Sequence, residues 1–283
     1  LPAALYLVAT PIGNLEDITL RALRILRDEV AAIACEDTRQ TQKLLEHFAI
    51  RKPLLSYHEH NEESRAAEIV TRLGLGESIA IVTDAGTPLI SDPGYRVVEA
   101  AIAAGHPVIP LPGPSAAIAA LAASGLPTDK FRFIGFLPPK SHARRKAFEE
   151  MLTESSTVIA YESPHRILDS LADMDQILGA RPVVIGREIT KLHEEFLRGT
   201  PAQIRQILAL RDSVKGEITI VIGRSEQPAL EGDPIEEVTR LQELGLNRME
   251  AIKSVAKQMG LPKREVYRLF AAPDSTPPGK HRG

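Results

Sequence analysis

Residues 78–94, reading SIAIVTDAGTPLISDPG, constrain the chain more than any other stretch. Residues 79–82 are a short, β-branched, apolar run of the kind that parallel sheets bury on both faces. The run passes directly into a polar loop, and Val97, Val98, Ala101 and Ile102 then recur at helical spacing. A loop at the carboxyl end of a parallel strand is where open α/β sheets take up ligands. This loop is dense in residues with special properties. Gly86 permits close backbone approach, Pro88 and Pro93 fix φ, and Asp84, Thr87, Ser91 and Asp92 supply polar groups. A plain connector needs one glycine and a helix cap, so a stiff turn with no ligand is the competing reading.

The same grammar repeats along the first half. Residues 5–10 read as a strand broken by Pro11 and Gly13, followed by a helix capped by Thr19, with Ile18 placed to staple onto Leu23. Residues 31–35 then form a second strand, which makes a right-handed parallel crossover. A dinucleotide site is disfavoured, because the first turn carries one glycine where G-x-G-x-x-G needs three. The second strand ends in Glu36-Asp37-Thr38-Arg39, and a third, 54–57, ends in His58-Glu59-His60. Two histidines two apart share a face only in extended chain, and no third ligand stands at suggestive spacing, so no metal site is expected. Residues 108–111 deliver Pro112-Gly113-Pro114-Ser115-Ala116 to a helix start. Its unpaired N–H groups suit a polar ligand edge, and Ser115 also fits ordinary N-capping.

Gly125 and Pro127 close that helix and mark a boundary, giving a first domain over 1–124 and a second over 125–224. Strands are expected at 131–136, 157–161, 183–186, 195–198 and 218–222, with helices starting at Ser163-Pro164 and Thr200-Pro201. Their mixture indicates an α/β sheet that is not purely parallel. Lys140, Arg144, Arg145 and Lys146 crowd one helix, as a solvated face or as phosphate contacts. A linker at 225–233 precedes a helical module at 234–272, and 273–283 is expected to be disordered. Charge is segregated here. Residues 224–246 carry two basic against six acidic groups, whereas 247–283 carry eight basic against three acidic. Helix, glycine turn and helix, with Lys263, Arg264 and Arg268 on the second helix, follow the helix-turn-helix pattern; a module docking on protein fits equally.

Composition sets outer limits. The net charge of −3 over 283 residues advertises no global nucleic-acid field, so any such site is local. A single cysteine, Cys35 in an apolar run, excludes an internal disulfide and reads as a buried thiol. No apolar run is long enough to span a membrane, and no basic segment leads into a long apolar one, so a cytoplasmic address is expected.

Six segments in this order resemble the tetrapyrrole methylase superfamily, and within it the branch acting on ribosomal RNA. They are residues 5–14, 36–39, 84–94, 111–116, 161–166 and 187–191. The resemblance implies two α/β domains with S-adenosylmethionine in the cleft between them, usually as a homodimer. It implies 2′-O-methylation of a cytidine in the decoding region of bacterial 16S rRNA, within the small ribosomal subunit. Gly86, Thr87, Leu89 and Ile90 match the family's Gly-Asp-Pro cofactor loop, with Asp84 beside it. Ser115 and Ala116 match the second cofactor segment and Pro11 the first, while Glu162 and Glu217 fall where the second domain meets the cofactor. Thr87 stands where tetrapyrrole enzymes usually carry aspartate, which weakens a porphyrin reading. Asp37 is nominated as proton acceptor, with a helix cap as its alternative, Arg39 as a phosphate or ribose contact, and His58 beside them. Lys140, Arg144, Arg145, Lys146, Lys263, Arg264 and Arg268 are the candidate RNA contacts. The alternatives are a corrinoid or porphyrin C-methyltransferase and a non-catalytic RNA-binding assembly factor.

Overall fold

The computed structural model describes residues 3–58, 61–91, 94–225, 232–259 and 261–271. His60, Asp92, Pro93, most of the expected linker, the turn glycine Gly260 and the expected disordered tail lie outside these residues.

Five strands build the first sheet: β1 (Leu5–Val8), β2 (Ala32–Cys35), β3 (Leu54–Ser56), β4 (Ile79–Val82) and β5 (Val108–Leu111). Their order is β3-β2-β4-β1-β5, and every pairing is parallel. β2 and β4 are buried at every position, as continuous apolar runs require. Helices α1 (Leu20–Arg24), extended by a π-helical turn over Ile25–Glu29, and α2 (Thr38–His47) cover one face. Helices α3 (Glu62–Gly74) and α4 (Tyr95–Ala103) cover the other. Right-handed crossovers dictate this split. The chain leaves β1 toward β2 and leaves β4 toward β5, so these two neighbours send their connections in opposite directions. Such a switch point opens a crevice at the carboxyl ends of the strands. Register sharpens it: Val8 pairs with Val82 and with Leu111, so three loops start at one level, side by side.

The second sheet comprises β6 (Phe131–Phe136), β7 (Thr157–Glu162), β8 (Val183–Arg187), β9 (Glu195–Gly199) and β10 (Ile218–Ile222), ordered β6-β7-β10-β8-β9. Only β6 and β7 pair in parallel; the other pairings are antiparallel. One face packs on α6 (Ser141–Glu150), α7 (Ile167–Leu178) and α8 (Pro201–Ala209) through Phe148, Leu171, Met174 and Ile204. The other face takes Ala117, Ala120 and Leu121 of α5 (Ala116–Ser124), together with Ile12 from the first loop. α5 therefore ties the half of the chain that builds the first sheet to the second sheet.

Thr200 caps α8 with a reciprocal Gln203 box and Pro201 in the first turn, as expected. The expected start of α7 at Ser163-Pro164 is corrected: the helix begins at Ile167, and Ser163 opens a tight turn, with its carbonyl accepting from the Arg166 N–H. Three further helices, α9 (Pro234–Glu243), α10 (Arg248–Met259) and α11 (Lys263–Ala271), enclose a small core of their own around Val238, Ile252, Val255 and Val266.

Candidate active site

The three loops at the switch point are stitched together through the main chain. Thr10 and Gly86 exchange both N–H···O bonds, at 2.9 and 3.0 Å, and the Thr10 hydroxyl donates to the Thr83 carbonyl at 2.9 Å. The Thr87 hydroxyl donates to the Pro114 carbonyl at 3.1 Å and so joins the second loop to the third. Gly86 adopts φ +87°, a conformation that suits glycine. Gly113 is required for a different reason: a Cβ there would lie 2.8 Å from the Ala9 Cβ.

These loops form one wall of a cavity of about 410 Å³, within the size range of cofactor sites. Asp84, Gly86, Thr87, Ile90, Ser115 and Ala116 line it from the side of the first sheet, joined by Ile12 and Thr83. The second sheet supplies the facing wall, with Glu162 and Glu217 beside Phe136, Tyr161 and Thr219. Eight of the ten residues nominated for the cofactor thus come together. Pro11 is buried beneath the first loop, and Leu89, at φ +71°, packs against Gly94; neither lines the cavity.

The two glutamates do different work. Glu162 is buried, and its carboxylate accepts from the Ser163 N–H at 2.7 Å, the Ser170 hydroxyl and Arg166 at 2.8 Å. It braces the turn that walls the cavity. Glu217 is largely exposed and paired to Lys191 at 3.2 Å, while its N–H donates to Glu188. That N–H, followed by Lys191, holds the Glu188 carboxyl below its usual range.

Asp37, Arg39 and His58 do not line the cavity. Asp37 caps α2, accepting from the Arg39 N–H at 2.8 Å and from its guanidinium at 3.1 and 3.2 Å. The Arg39 side chain and N–H hold this carboxyl below the ordinary range, which makes it a weak base. Arg39 is otherwise open to solvent. His58 lies two residues beyond β3, which is two strands from β4, and its N–H donates to Asn61 at 2.9 Å. Asp84 behaves oppositely to Asp37. Ala34 pairs with Ile81, so three residues further on Asp37 and Asp84 leave adjacent strands together. Partial loss of water at the cleft wall pushes the Asp84 carboxyl up; the Asp37 N–H opposes the shift, and the Asp37 charge adds to it.

Among the basic candidates, Arg144 is corrected. It is 3% exposed, forked onto Asp173 at 2.6 and 2.9 Å, and it reaches the Pro139 carbonyl at 3.3 Å. Helical spacing from Phe148 turns it inward toward α7, so it anchors the 138–141 turn and is closed to phosphate. Lys140, Arg145, Lys146, Lys263, Arg264 and Arg268 are exposed. The sequence reading missed Phe136, Tyr161 and Thr219, because the second wall is assembled from strand ends far apart in the chain, and it missed Ile12, an apolar loop residue with no chemical signature.

Residues 4–205 match the family model described as Tetrapyrrole (Corrin/Porphyrin) Methylases. This chain belongs to the tetrapyrrole methylase family. Its enzymology is therefore methyl transfer from S-adenosylmethionine. The chain is 50% identical over 273 residues to Ribosomal RNA small subunit methyltransferase I of Halalkalibacterium halodurans, covering 94% of each chain. It is 47% identical over 269 residues to the protein of the same name from Xylella fastidiosa, covering 94% of this chain and 98% of that one. Among solved structures, uroporphyrin-III-C-methyltransferase of Thermus thermophilus superposes with a TM-score of 0.53 at 20% identity, over 78% of this chain and 94% of that one. A diphthine synthase gives 0.57 at 13% identity, over 94% and 100%. At these identities the likeness is one of fold.

The tetrapyrrole methylase site fits its cofactor chemically. The Glu217 carboxylate suits an ammonium, hydroxyls at Thr83, Ser115 and Thr219 suit a ribose, and Ile12, Ala116 and Ile218 offer apolar surface to a purine. Gly86 leaves open the space that a Cβ would fill beside Ile12.

Proposed function

We propose that the chain methylates the 2′-hydroxyl of a cytidine in the decoding region of 16S rRNA, acting on the small ribosomal subunit. What carries this reading is the near full-length identity of 44–50% to proteins named Ribosomal RNA small subunit methyltransferase I. Thr87 in place of the tetrapyrrole enzymes' aspartate, and exposed cations on α6 and α11, support RNA over a porphyrin.

Bound S-adenosylmethionine supplies an electrophilic methyl carbon whose leaving group is a neutral thioether, so no acid is required at the sulfur. The protein's contribution is position and a proton acceptor. The stitched loops around Gly86 and Thr87 form a rigid main-chain cradle. Asp84 is the acceptor: it opens on the cavity, and its carboxyl is a stronger base than an ordinary aspartate. Asp37 fixes the α2 start and the neighbouring strand end. A homodimer in the cytoplasm completes the proposal; no helix among the described residues is long and apolar enough to cross a membrane.

The test supplies labelled S-adenosylmethionine with small ribosomal subunits and, separately, with a tetrapyrrole. Label on a cytidine ribose of 16S rRNA is expected. Label on the tetrapyrrole overturns the reading, and calorimetry showing no cofactor binding leaves only a non-catalytic factor.

A further inference from the structure

β6 carries an irregularity that the cofactor site does not explain. It runs in register with β7 through Phe133, which pairs with Ile159, and next pairs at Phe136 with Tyr161. Three steps on one strand thus oppose two on the other, with Gly135 at φ +69° taking up the extra residue. A bulge of this kind reverses the alternation of side chains beyond it. Phe136 consequently falls on the same face as Phe133, and both rings lie edge-on to Tyr161, at 5.5 and 5.0 Å between centroids.

The second ring is not put there to fill a core. Phe133 packs against the buried cluster under α5, whereas Phe136 is 58% exposed at the cavity wall. The bulge also sits where the two walls meet: a Cβ at Gly135 would lie 3.6 Å from the Ser91 hydroxyl of the opposite loop. A cavity of about 410 Å³ accommodates one cofactor, so a target nucleotide has to enter across the rim on which this ring stands. Proteins that take single-stranded RNA hold splayed bases by stacking them on exposed aromatic rings.

We propose that Phe136 is the platform on which the target base stacks, orienting its ribose toward the first-domain wall; this rests on the RNA-methylation reading above. A phenyl ring offers a π-face and no hydrogen bond, so it positions a base without specifying which one. The chemistry recognised is a planar heteroaromatic ring, and its source is the target base, the adenine of the cofactor being the other ring that enters the cleft.

Phe136→Ala, Phe136→Leu and Phe136→Trp separate these cases through single-turnover methylation of small subunits and calorimetric cofactor titration. The Ala and Leu variants are expected to lose about ten- to a hundredfold in kcat/KM for subunits, with cofactor Kd within about twofold of the parent. Phe136→Trp is expected to retain activity. A Leu variant as active as the parent overturns the proposal, because the ring then serves only as bulk beside Tyr161. A cofactor Kd weakened as much as kcat/KM also overturns it and assigns the ring to adenine. Parent protein that binds cofactor yet labels no subunit RNA sinks the functional reading itself, an outcome visible before any variant is made.

Discussion

Asp37 and Asp84 begin one residue type and three positions beyond paired strand residues, and their surroundings drive them apart. Asp37 spends its lone pairs on the α2 start and on Arg39, while Asp84 faces the cavity with its carboxyl raised. Paired groups pushed in opposite directions mark an assignment of roles. Asp84→Asn is expected to lower single-turnover methylation about a hundredfold or more while the cofactor still binds. Asp37→Asn is expected to lower the thermal midpoint modestly and leave the rate near the parent's. The pH dependence has a definite sign. Only deprotonated Asp84 accepts a proton, so the rate rises with pH and levels off above a midpoint higher than an ordinary aspartate's, and that limb disappears in the Asn variant. A limb at or below the ordinary aspartate range returns the role to another group. The sequence reading nominated Asp37 as acceptor and set Asp84 with the cofactor loop; the proposal moves the acceptor to Asp84, because which carboxylate oxygens are already occupied depends on the fold. Arg144 teaches the same lesson: its spacing from Phe148 was visible in the sequence, yet its partner Asp173 lies on another helix.

At the scale of elements, most strands were legible because they are short apolar runs, and the α8 cap because Thr200, Pro201 and Gln203 fall within four residues. The start of α7 was not. Ser163-Pro164 satisfies every local rule for a helix start, but the buried Glu162 carboxylate binds the Ser163 N–H and Arg166 and winds the segment into the cavity wall instead. The β6 bulge was equally hidden, with Gly135 its sole mark in the sequence. A different carboxylate holds the β8–β9 hairpin. Glu195 receives Arg211 at 2.6 and 2.9 Å and Arg187 at 2.6 Å, and these, Arg211 first, lower its carboxyl to about 2. A depressed carboxyl contributes stability that is full above its unfolded value near 4.5 and is lost as pH falls toward 2. Glu195→Gln is therefore expected to lower the urea midpoint at pH 7, by up to about 3 kcal/mol in unfolding free energy. The gap between variant and parent should close as pH drops below 4.5. A gap independent of pH between 7 and 3 refutes the assignment.

Across the whole molecule, composition concealed more than it disclosed. A net charge of −3 averages an acidic segment against a basic one, and only local features, their separation along the chain and the cluster at 140–146, pointed to an electrostatic site. The two-sheet architecture was legible from strand order and from family resemblance, whereas the cleft depends on how α5 bridges to the second sheet. The α9–α11 module adds a third body with its own apolar core, which leaves its outer surface free to be polar. Arg248 lies over Tyr267 and Phe270 and fastens α10 to α11, while Lys263, Arg264 and Arg268 remain exposed. Cations that merely solubilise a helix leave RNA affinity unchanged when neutralised. Cations that meet phosphates release counterions, and each contact on single-stranded RNA adds about 0.7 to the slope of log K against log salt. Replacing all three by Gln is thus expected to weaken subunit binding at low salt, to flatten that slope by roughly 2, and to leave cofactor Kd and the thermal midpoint unchanged. An unchanged slope removes the module from the RNA interface and favours a protein partner for it, whereas a flattened slope at constant fold places the basic helix on the ribosomal backbone.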